Sequence, residues 1–539
     1  MNKLFIQLLK SRNLTPSFMA PQYKDLADPF ILYDMDKAIE RIGRAIKNRE
    51  KILIYGDYDV DGVTASTVMA ESLILAGVNP EYLDIMLPDR FADGYGMSSR
   101  LIERAKNEQA TLVVTVDCGS RNHAIIDELN VEKIDTIVTD HHETEAEMPE
   151  AIAVINPHRK DHPTESLQNL AGVGVAFKLA QALVKKELIP AGQEKWLLDL
   201  VLLGTICDSM TLIDENRILS FYGMIVLSKT RRPGLKELMK KAQINSINTE
   251  TIGFGIGPRL NAAGRLDTAE LSLNLLRATS PMAAAPLAEK LEQLNQKRKA
   301  EQLLATREIK DRGVQSDPVI IETGKWHEGI IGIVAGRLVE DYHKPAFVLT
   351  ETTEGIFKGS GRSFGDFNLA EALAFVKDSI ISGGGHAAAA GVKVDGKNLY
   401  KFREQLNEYY RSLGLENQAR FFRPHADLVV GNFSELTLEF LDDLAKLEPF
   451  GPGNEEPIFH LKDVRLENVA RMGADRNHLR LDLKDSKNKY LKAVSFYAPQ
   501  DWLDIDPQFD RIELLVKLCK NEFRGLKTVE ARICDIIKL

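Results

Sequence analysis

Along residues 28–206 the hydrophobic positions follow two alternating rhythms. Short apolar runs at Ile52-Leu53-Ile54 and at residues 112–116, 134–139 and 151–155 have the length and β-branched content of buried strands, and residues 82–87 read as a further strand. Between them apolar residues recur at helical spacing, as in Met35, Ala38, Ile39, Ile42 and Ala45. Further helical segments fall at 63–70, 99–107 and 123–129. Strand and helix in alternation predict a parallel, doubly wound α/β sheet, with the 28–48 segment packed against it. An apolar, helix-like stretch at 196–206 follows.

The rhythm then changes. Residues 268–315 read as one or two long helices with Leu287, Leu291 and Leu294 on one stripe, a solvated connector. A second, smaller α/β unit begins at 318–322 and continues with a helix over about 330–341 and a strand at 346–349. Past residue 455, short alternating segments at 458–461, 479–483, 491–497, 512–516 and 529–533 predict a small barrel of five or six strands. Arg423-Pro424 marks the boundary before it, and Pro449-Phe450-Gly451-Pro452-Gly453-Asn454 reads as a rigid connector into it. Gly253-Phe254-Gly255-Ile256-Gly257 lacks dinucleotide-fingerprint spacing and reads as a flexible connector. The expected division is a helical segment, 1–48, packing on a catalytic α/β domain, 49–267, then a helical linker, 268–315, a second α/β domain, 316–422, and the barrel, 423–539.

The polar residues make the apolar pattern informative, because they cluster where strands end. Gly56-Asp57-Tyr58-Asp59-Val60-Asp61-Gly62 follows the first run, with three acids at every second position, a spacing that puts them on one face of an extended segment. Clustered acids repel unless a cation cancels their charge. Asp117-Cys118-Gly119 ends the third run and Asp140-His141-His142 the fourth. Asp208 follows the 196–206 helix, where the helix dipole disfavours an unpaired acid. In such sheets ligands bind beyond the carboxyl ends of the strands. Asp57, Asp59, Asp61, Asp117, His141, His142 and Asp208 therefore form a candidate metal set. Carboxylates suit hard cations, and imidazole among them favours Mn²⁺ over Mg²⁺ or Ca²⁺. So many ligands suit two ions about 4 Å apart bridged by a shared Asp, which is the equipment for hydrolysing a phosphate ester. One of the adjacent histidines ligates, and the other is placed for the scissile phosphate. Arg90 begins the loop Pro88-Asp89-Arg90-Phe91-Ala92-Asp93-Gly94-Tyr95-Gly96, where it either grips a phosphate or makes a surface salt bridge.

Composition narrows the class. The chain has 539 residues, 44% hydrophobic and 27% charged, with a formal net charge of -9. That length needs three or so domains. Four Cys without a CxxC argue against a disulfide framework and a zinc ribbon, which makes a cytoplasmic protein the default. No apolar run reaches the roughly 18 residues of a membrane span, and residues 1–9 read as an amphipathic helix, not a signal peptide. The acidic total does not exclude nucleic acid, since local patches decide binding. Residues 462–492 are rich in Lys and Arg, with Tyr490, Phe496 and Tyr497 nearby, as in grooves that hold single strands by charge and stacking, or simply a solvated charged face.

Asp57-Tyr58-Asp59-Val60-Asp61-Gly62, Val116-Asp117-Cys118-Gly119 and Asp140-His141-His142 resemble the motifs of the DHH phosphoesterase superfamily. Pro258-Arg259-Leu260-Asn261-Ala262-Ala263-Gly264-Arg265, Trp326-His327-Glu328-Gly329, Gly359-Ser360-Gly361-Arg362-Ser363 and Gly383-Gly384-Gly385-His386 extend the resemblance to RecJ-type single-strand-specific exonucleases. It implies a DHH domain, a DHHA1-like domain joined by long helices, and a C-terminal OB-fold-like barrel. It also implies 5′ to 3′ release of mononucleotides from single-stranded DNA in repair and recombination, with two divalent ions, Mn²⁺ preferred and Mg²⁺ accepted. Asp57, Asp59, Asp61, Asp117, His141 and Asp208 would hold metal, and His142 would act beside them. Arg90, Arg259, Asn261, Arg265, Ser360, Arg362 and His386 would bind substrate, the last three from glycine-rich phosphate-cradling loops. A monomer working with a single-strand-binding protein and a helicase, away from membranes, completes that expectation. Tyr55 stands where many DHH enzymes carry a metal-binding His, so Asp57 is either a ligand or a neighbour of one. Two other readings compete: a DHH phosphodiesterase for short oligoribonucleotides or cyclic dinucleotides, and a non-catalytic single-strand binder. A small substrate needs no barrel, and a dead site need not keep every acid. Cutting the chain after Arg423 is expected to weaken strand binding and spare hydrolysis of a short substrate.

Overall fold

Strands that bury both faces need helices on both sides, and the first half of the chain is built that way. The computed structural model describes residues 2–91, 96–314, 316–353, 355–415, 424–473, 475–506, 508, 510–523 and 525–539. Arg423 of the expected boundary and Ala92-Asp93-Gly94-Tyr95 of the Arg90 loop lie outside them. Strands β1 (Ile52–Tyr55), β2 (Leu83–Met86), β3 (Leu112–Val116), β4 (Asp135–Thr139) and β5 (Ala153–Ile155) form one parallel sheet in the order β2-β1-β3-β4-β5. Every residue of β1 and β3 is buried, as their unbroken apolar runs require. The chain leaves β1 in one direction to reach β2 and crosses back to β3. The carboxyl ends of β1 and β3 therefore flank the point where strand order reverses, the position where such sheets open a crevice. Helix Val60–Leu75 leaves the end of β1 and packs against helices Gly172–Lys185 and Leu198–Cys207 in the largest core.

The second sheet is mixed, with β6 (Ile320–Gly324), β7 (Ala346–Thr353), β8 (Ile356–Arg362), β9 (Ser382–Gly385) and β10 (Ala389–Asp395) in the order β6-β7-β8-β10-β9. Both glycine-rich stretches expected as loops are strands. Gly359 to Arg362 lie in β8 and Gly383 to Gly385 in β9, each paired to β10. Glycine is needed within β8 because a Cβ on Gly361 would stand 2.5 Å from the Phe347 ring.

The third sheet has seven strands, two more than the five sequence segments: β11 (Leu428–Val430), β12 (Phe459–Leu461), β13 (Arg465–Met472), β14 (His478–Lys484), β15 (Tyr490–Ser495), β16 (Ile512–Phe523) and β17 (Leu526–Lys538). β11 is three residues long and the apolar residues of β13 do not alternate, so neither gives a periodic signal. β16 and β17 form one long hairpin at the middle of the sheet.

Three further expectations are corrected. The N-terminal helix Lys3–Ser11 does not pack on the first domain. Its stripe of Leu4, Phe5, Leu8 and Leu9 enters the core of the C-terminal domain with Phe440, Phe459 and Leu461. Arg12 grips Asp427 there through Nε (2.5 Å) and Nη2 (2.9 Å). Helix Met35–Asn48, later in the same segment, packs on the first sheet. Helix Pro281–Arg312 is not a solvated connector, since Ala284, Ala288 and Leu291 join the first core while Ala305 and Ile309 join the second domain. The Gly253 segment is not flexible either. It is a π-helical turn, Thr251–Ile256, running into helix Gly257–Leu266. Among the described residues, no helix is long and apolar enough to cross a membrane.

Candidate metal centre and cleft

β1 ends in a turn that aims two acids before the next helix begins. Asp57 accepts from the Tyr58 amide (2.7 Å), and Asp59 caps the helix by accepting from the Gly62 amide (3.1 Å). Gly62 is obligatory here, because a Cβ would lie 2.5 Å from the Asp57 carbonyl oxygen. The three acids do not converge by extended-chain alternation. Asp61 sits in the first helical turn, on the other side of the cluster, where its carboxylate accepts from the amides of Gly172 (2.6 Å) and Val173 (3.0 Å). Those amides begin helix Gly172–Lys185, so Asp61 faces the positive end of its dipole.

Asp117 follows β3 in a left-handed conformation (φ 61°) that Asp tolerates better than most residues. Its Oδ1 lies 3.1 Å from His141 Nε2, but with no hydrogen-bond donor among the described residues. Gly172 makes room, since a Cβ there would stand 2.5 Å from that oxygen. His141 turns the other side of its ring to the Leu170 backbone and points Nε2 at Asp61 (3.8 Å) and Asp208 (3.7 Å). Asp208 ends helix Leu198–Cys207. Two separate triads could each hold a cation, Asp57 with Asp59 and Asp117, and Asp61 with His141 and Asp208; Asp117, His141 and His142 form an overlapping third.

Asp140 has a different task. It accepts from the amides of Ser120 (3.0 Å), His141 (2.8 Å) and His142 (3.2 Å) and bonds His142 Nδ1 at 2.8 Å. Burial is the largest influence and works against both charges of that pair, but their mutual hydrogen bond and charge attraction, with further neighbours, together outweigh it: Asp140 stays well below the usual carboxylate range and His142 rises to about 9. His142 is thus a held cation, while burial and the charge of His142 push His141 down to about 3, a neutral imidazole suited to ligation. Burial, then repulsion from Asp59, raises Asp57 and Asp208 to about 7. Burial and the neighbouring acids raise Asp61 and Asp117 well above 3.8. Four acids that cannot ionise together, an orphaned buried oxygen and an oxygen-nitrogen donor set fit hard divalent cations.

Several arginines gather beside the acid turn. Arg90 lies over the Tyr58 ring at 4.9 Å. Burial and the charges of Arg90, Arg298 and Arg362 lower Arg265 to about 10. Arg362 donates to Ser360 Oγ (3.1 Å). His386 is exposed past β9, its pKa lowered by partial burial and by Arg121 and His142. Two of the expected substrate residues are engaged elsewhere. Arg259 is a strut, bound to Glu292 and to the Gly255 carbonyl (2.7 Å). Asn261 accepts from the Val60 amide (3.1 Å), which holds the acid turn. Arg298, outside the expected set, continues the Leu291 and Leu294 stripe at helical spacing and is buried. Asn156, which donates to the His142 carbonyl (2.9 Å), is a further anchor.

Beside Asp208 opens a cleft of about 730 Å³, lined by Asn261, Arg265 and Arg298 and, from the C-terminal domain, by Phe450, Lys517 and Arg532. The cleft-facing cations of that domain lie on β16 and β17. Tyr490, Phe496 and Tyr497 are exposed at and beyond β15, with Lys484 over the Tyr490 ring at 4.5 Å.

Residues 51–205 match the DHH family, N-terminal domain; residues 316–412 match the DHHA1 domain; residues 429–535 match the RecJ OB domain. The chain is 36% identical over 530 residues to the single-stranded-DNA-specific exonuclease RecJ of Bacillus subtilis, covering 96% of this chain and 65% of that protein. It is 31% identical over 537 residues to the Salmonella typhimurium protein of the same name, covering 94% of this chain and 90% of that one. Thermus thermophilus RecJ in complex with Mn²⁺ superposes with a TM-score of 0.84 at 27% identity, over 100% of this chain and 76% of that one. The same protein with Mg²⁺ gives 0.76 at 25% identity, over 99% and 74%.

Proposed function

The chain belongs to the RecJ family of single-stranded-DNA-specific exonucleases, within the DHH phosphoesterases, and from that premise we propose that it degrades single-stranded DNA stepwise, 5′ to 3′, to mononucleotides. The observation that carries the reading is the pair of acid triads meeting around His141, in a pocket where the acids cannot share their charge without cations. Asp57, Asp59 and Asp117 would hold one ion and Asp61, His141 and Asp208 the other, with Mn²⁺ favoured over Mg²⁺ by the imidazole. Ions so held supply Lewis-acid stabilisation of the phosphoryl oxygens and acidify a bound water.

The chain's own residues do the rest. His142, kept protonated by Asp140, presents positive charge toward the phosphate as negative charge builds on it. Arg90, Arg265 and Arg362 neutralise and orient the terminal phosphate, with Ser360 beside them. Asn261 holds the acid turn in place. The cleft between the catalytic and C-terminal domains leads the strand in along Arg298, Lys517 and Arg532. The family reading also carries a role in repair and recombination, a cytoplasmic monomer, and a single-strand-binding protein and helicase as partners.

The test is a digestion of end-labelled single-stranded DNA, duplex DNA, an RNA dimer and a cyclic dinucleotide with Mn²⁺. The expected result is mononucleotides from single-stranded DNA, with Asp59→Ala and His141→Ala at least about 100-fold slower, as for loss of a group that stabilises the transition state. Preference for the dinucleotides would contradict the substrate assignment. Unimpaired variants would contradict the site.

A further inference from the structure

The segment that carries Asp208 continues through Thr211 and Leu212, and two parts of the molecule hold its backbone. From within the catalytic domain, the fully buried Asn216 donates through Nδ2 to the Thr211 carbonyl (3.1 Å) and to the Asn169 carbonyl. Asn169 precedes Leu170, whose backbone orients His141. One amide therefore joins the Asp208 segment to the segment behind the other half of that triad.

From outside, the hold comes from the C-terminal domain. The Leu212 amide donates to the Pro452 carbonyl at 2.7 Å. The 450–454 loop lies so close that a Cβ on Gly451 would stand 2.7 Å from Leu212 Cδ1, and one on Gly453 (φ 75°) 2.4 Å from Thr211 Cγ2. The loop is braced internally. Gly451 and Asn454 exchange backbone hydrogen bonds of 3.0 Å, and the buried Asn454 donates to the Leu447 and Pro449 carbonyls, both at 2.9 Å. Arg217, next to Asn216 and buried with no acid partner among the described residues, fastens the base of the arrangement. It donates to the carbonyls of Phe18 (3.1 Å) and Lys446 (3.3 Å) and lies over the Phe18 ring at 4.5 Å.

We infer that the 450–454 loop is a positioning element of the metal centre: docked on Thr211 and Leu212, it sets the Asp208 carboxylate, so the C-terminal domain governs metal affinity and the hydrolysis of substrates too short to reach it. This rests on the assignment of Asp208 as a ligand. The loop acts on Asp208 through the backbone and side chains of Thr211 and Leu212 and supplies no ligand of its own.

The test uses the full chain, stripped of metal, with Mn²⁺ binding read by titration calorimetry and hydrolysis read on a 5′-phosphorylated thymidine dinucleotide. Gly451→Val removes the space that Leu212 occupies, and Gly453→Ala is a smaller insult to the same contact should the first variant not fold. Loss of a partner that orients a ligand weakens metal binding about 10- to 100-fold, and that is the expected range here, with a parallel loss on the dinucleotide. Adding Leu212→Ala to Gly451→Val reopens the space and should recover most of the Mn²⁺ affinity, a rescue that general destabilisation would not give. Native Mn²⁺ affinity in both glycine variants, with Asp208→Ala impaired, would overturn the inference. Native affinity in Asp208→Ala would overturn the ligand assignment itself.

Discussion

Asp117 concentrates the chemistry of the site: a buried carboxylate oxygen without a hydrogen-bond donor among the described residues, pressed between His141 and the bare Cα of Gly172. With Asp57, Asp61 and Asp208 it retains protons to higher pH in the folded chain than in the unfolded one, where these acids titrate near 3.8. The folded state then binds more protons between those limits, so without metal stability falls as pH rises from about 4 through about 7. A divalent cation replaces the protons and reverses the loss. The rise in melting temperature on adding Mn²⁺ should therefore be larger at pH 8 than at pH 5. Equal rises would mean that these acids do not take up the ion.

At the level of elements, the N-terminal helix changes the picture most. Its stripe shows that one face is buried but not against what, because amphipathic spacing carries no information about the partner. Phe5 is wholly buried among C-terminal residues. Phe5→Ala should cost about 3–5 kcal/mol, as large-to-small changes in a packed core do. A urea melt followed at Trp502, which packs on the same core, would read it, and an unmoved midpoint would contradict that packing.

The parallel sheet and its acid-bearing ends were legible because strands buried on both faces leave unbroken apolar runs, and polar clusters at their ends stand out. β13 left no such trace, being paired on one side only, with polar residues breaking its apolar ones. The glycines of β8 and β9 looked like loops because the spaces they leave for Phe347 and for close backbone pairing belong to neighbours far along the chain. The role of Arg259 was hidden for the same reason, since its partner Glu292 lies on another helix.

At the scale of the whole molecule, the two ends of the chain form one unit, and that unit is docked on the Asp208 segment. On the inference drawn above, the C-terminal domain does not act independently of the metal centre. Removing residues 424–539 uncovers Leu4, Phe5, Leu8 and Leu9 and takes away the loop that holds Leu212. Such a truncation should lose most hydrolysis of a 5′-phosphorylated thymidine dinucleotide as well as strand binding. Full activity on the dinucleotide would restore the simpler picture of a detachable binding domain.

Divalent metal at the acid and histidine cluster should be required for the hydrolysis of single-stranded DNA. The most direct measurement is the rate of mononucleotide release from single-stranded DNA by the metal-stripped chain as Mn²⁺ is added. The rate should start near zero, rise as Mn²⁺ binds, and stay flat in Asp59→Ala at every concentration. Full-rate degradation without metal, or an Asp59→Ala curve that overlays the native one, would contradict it.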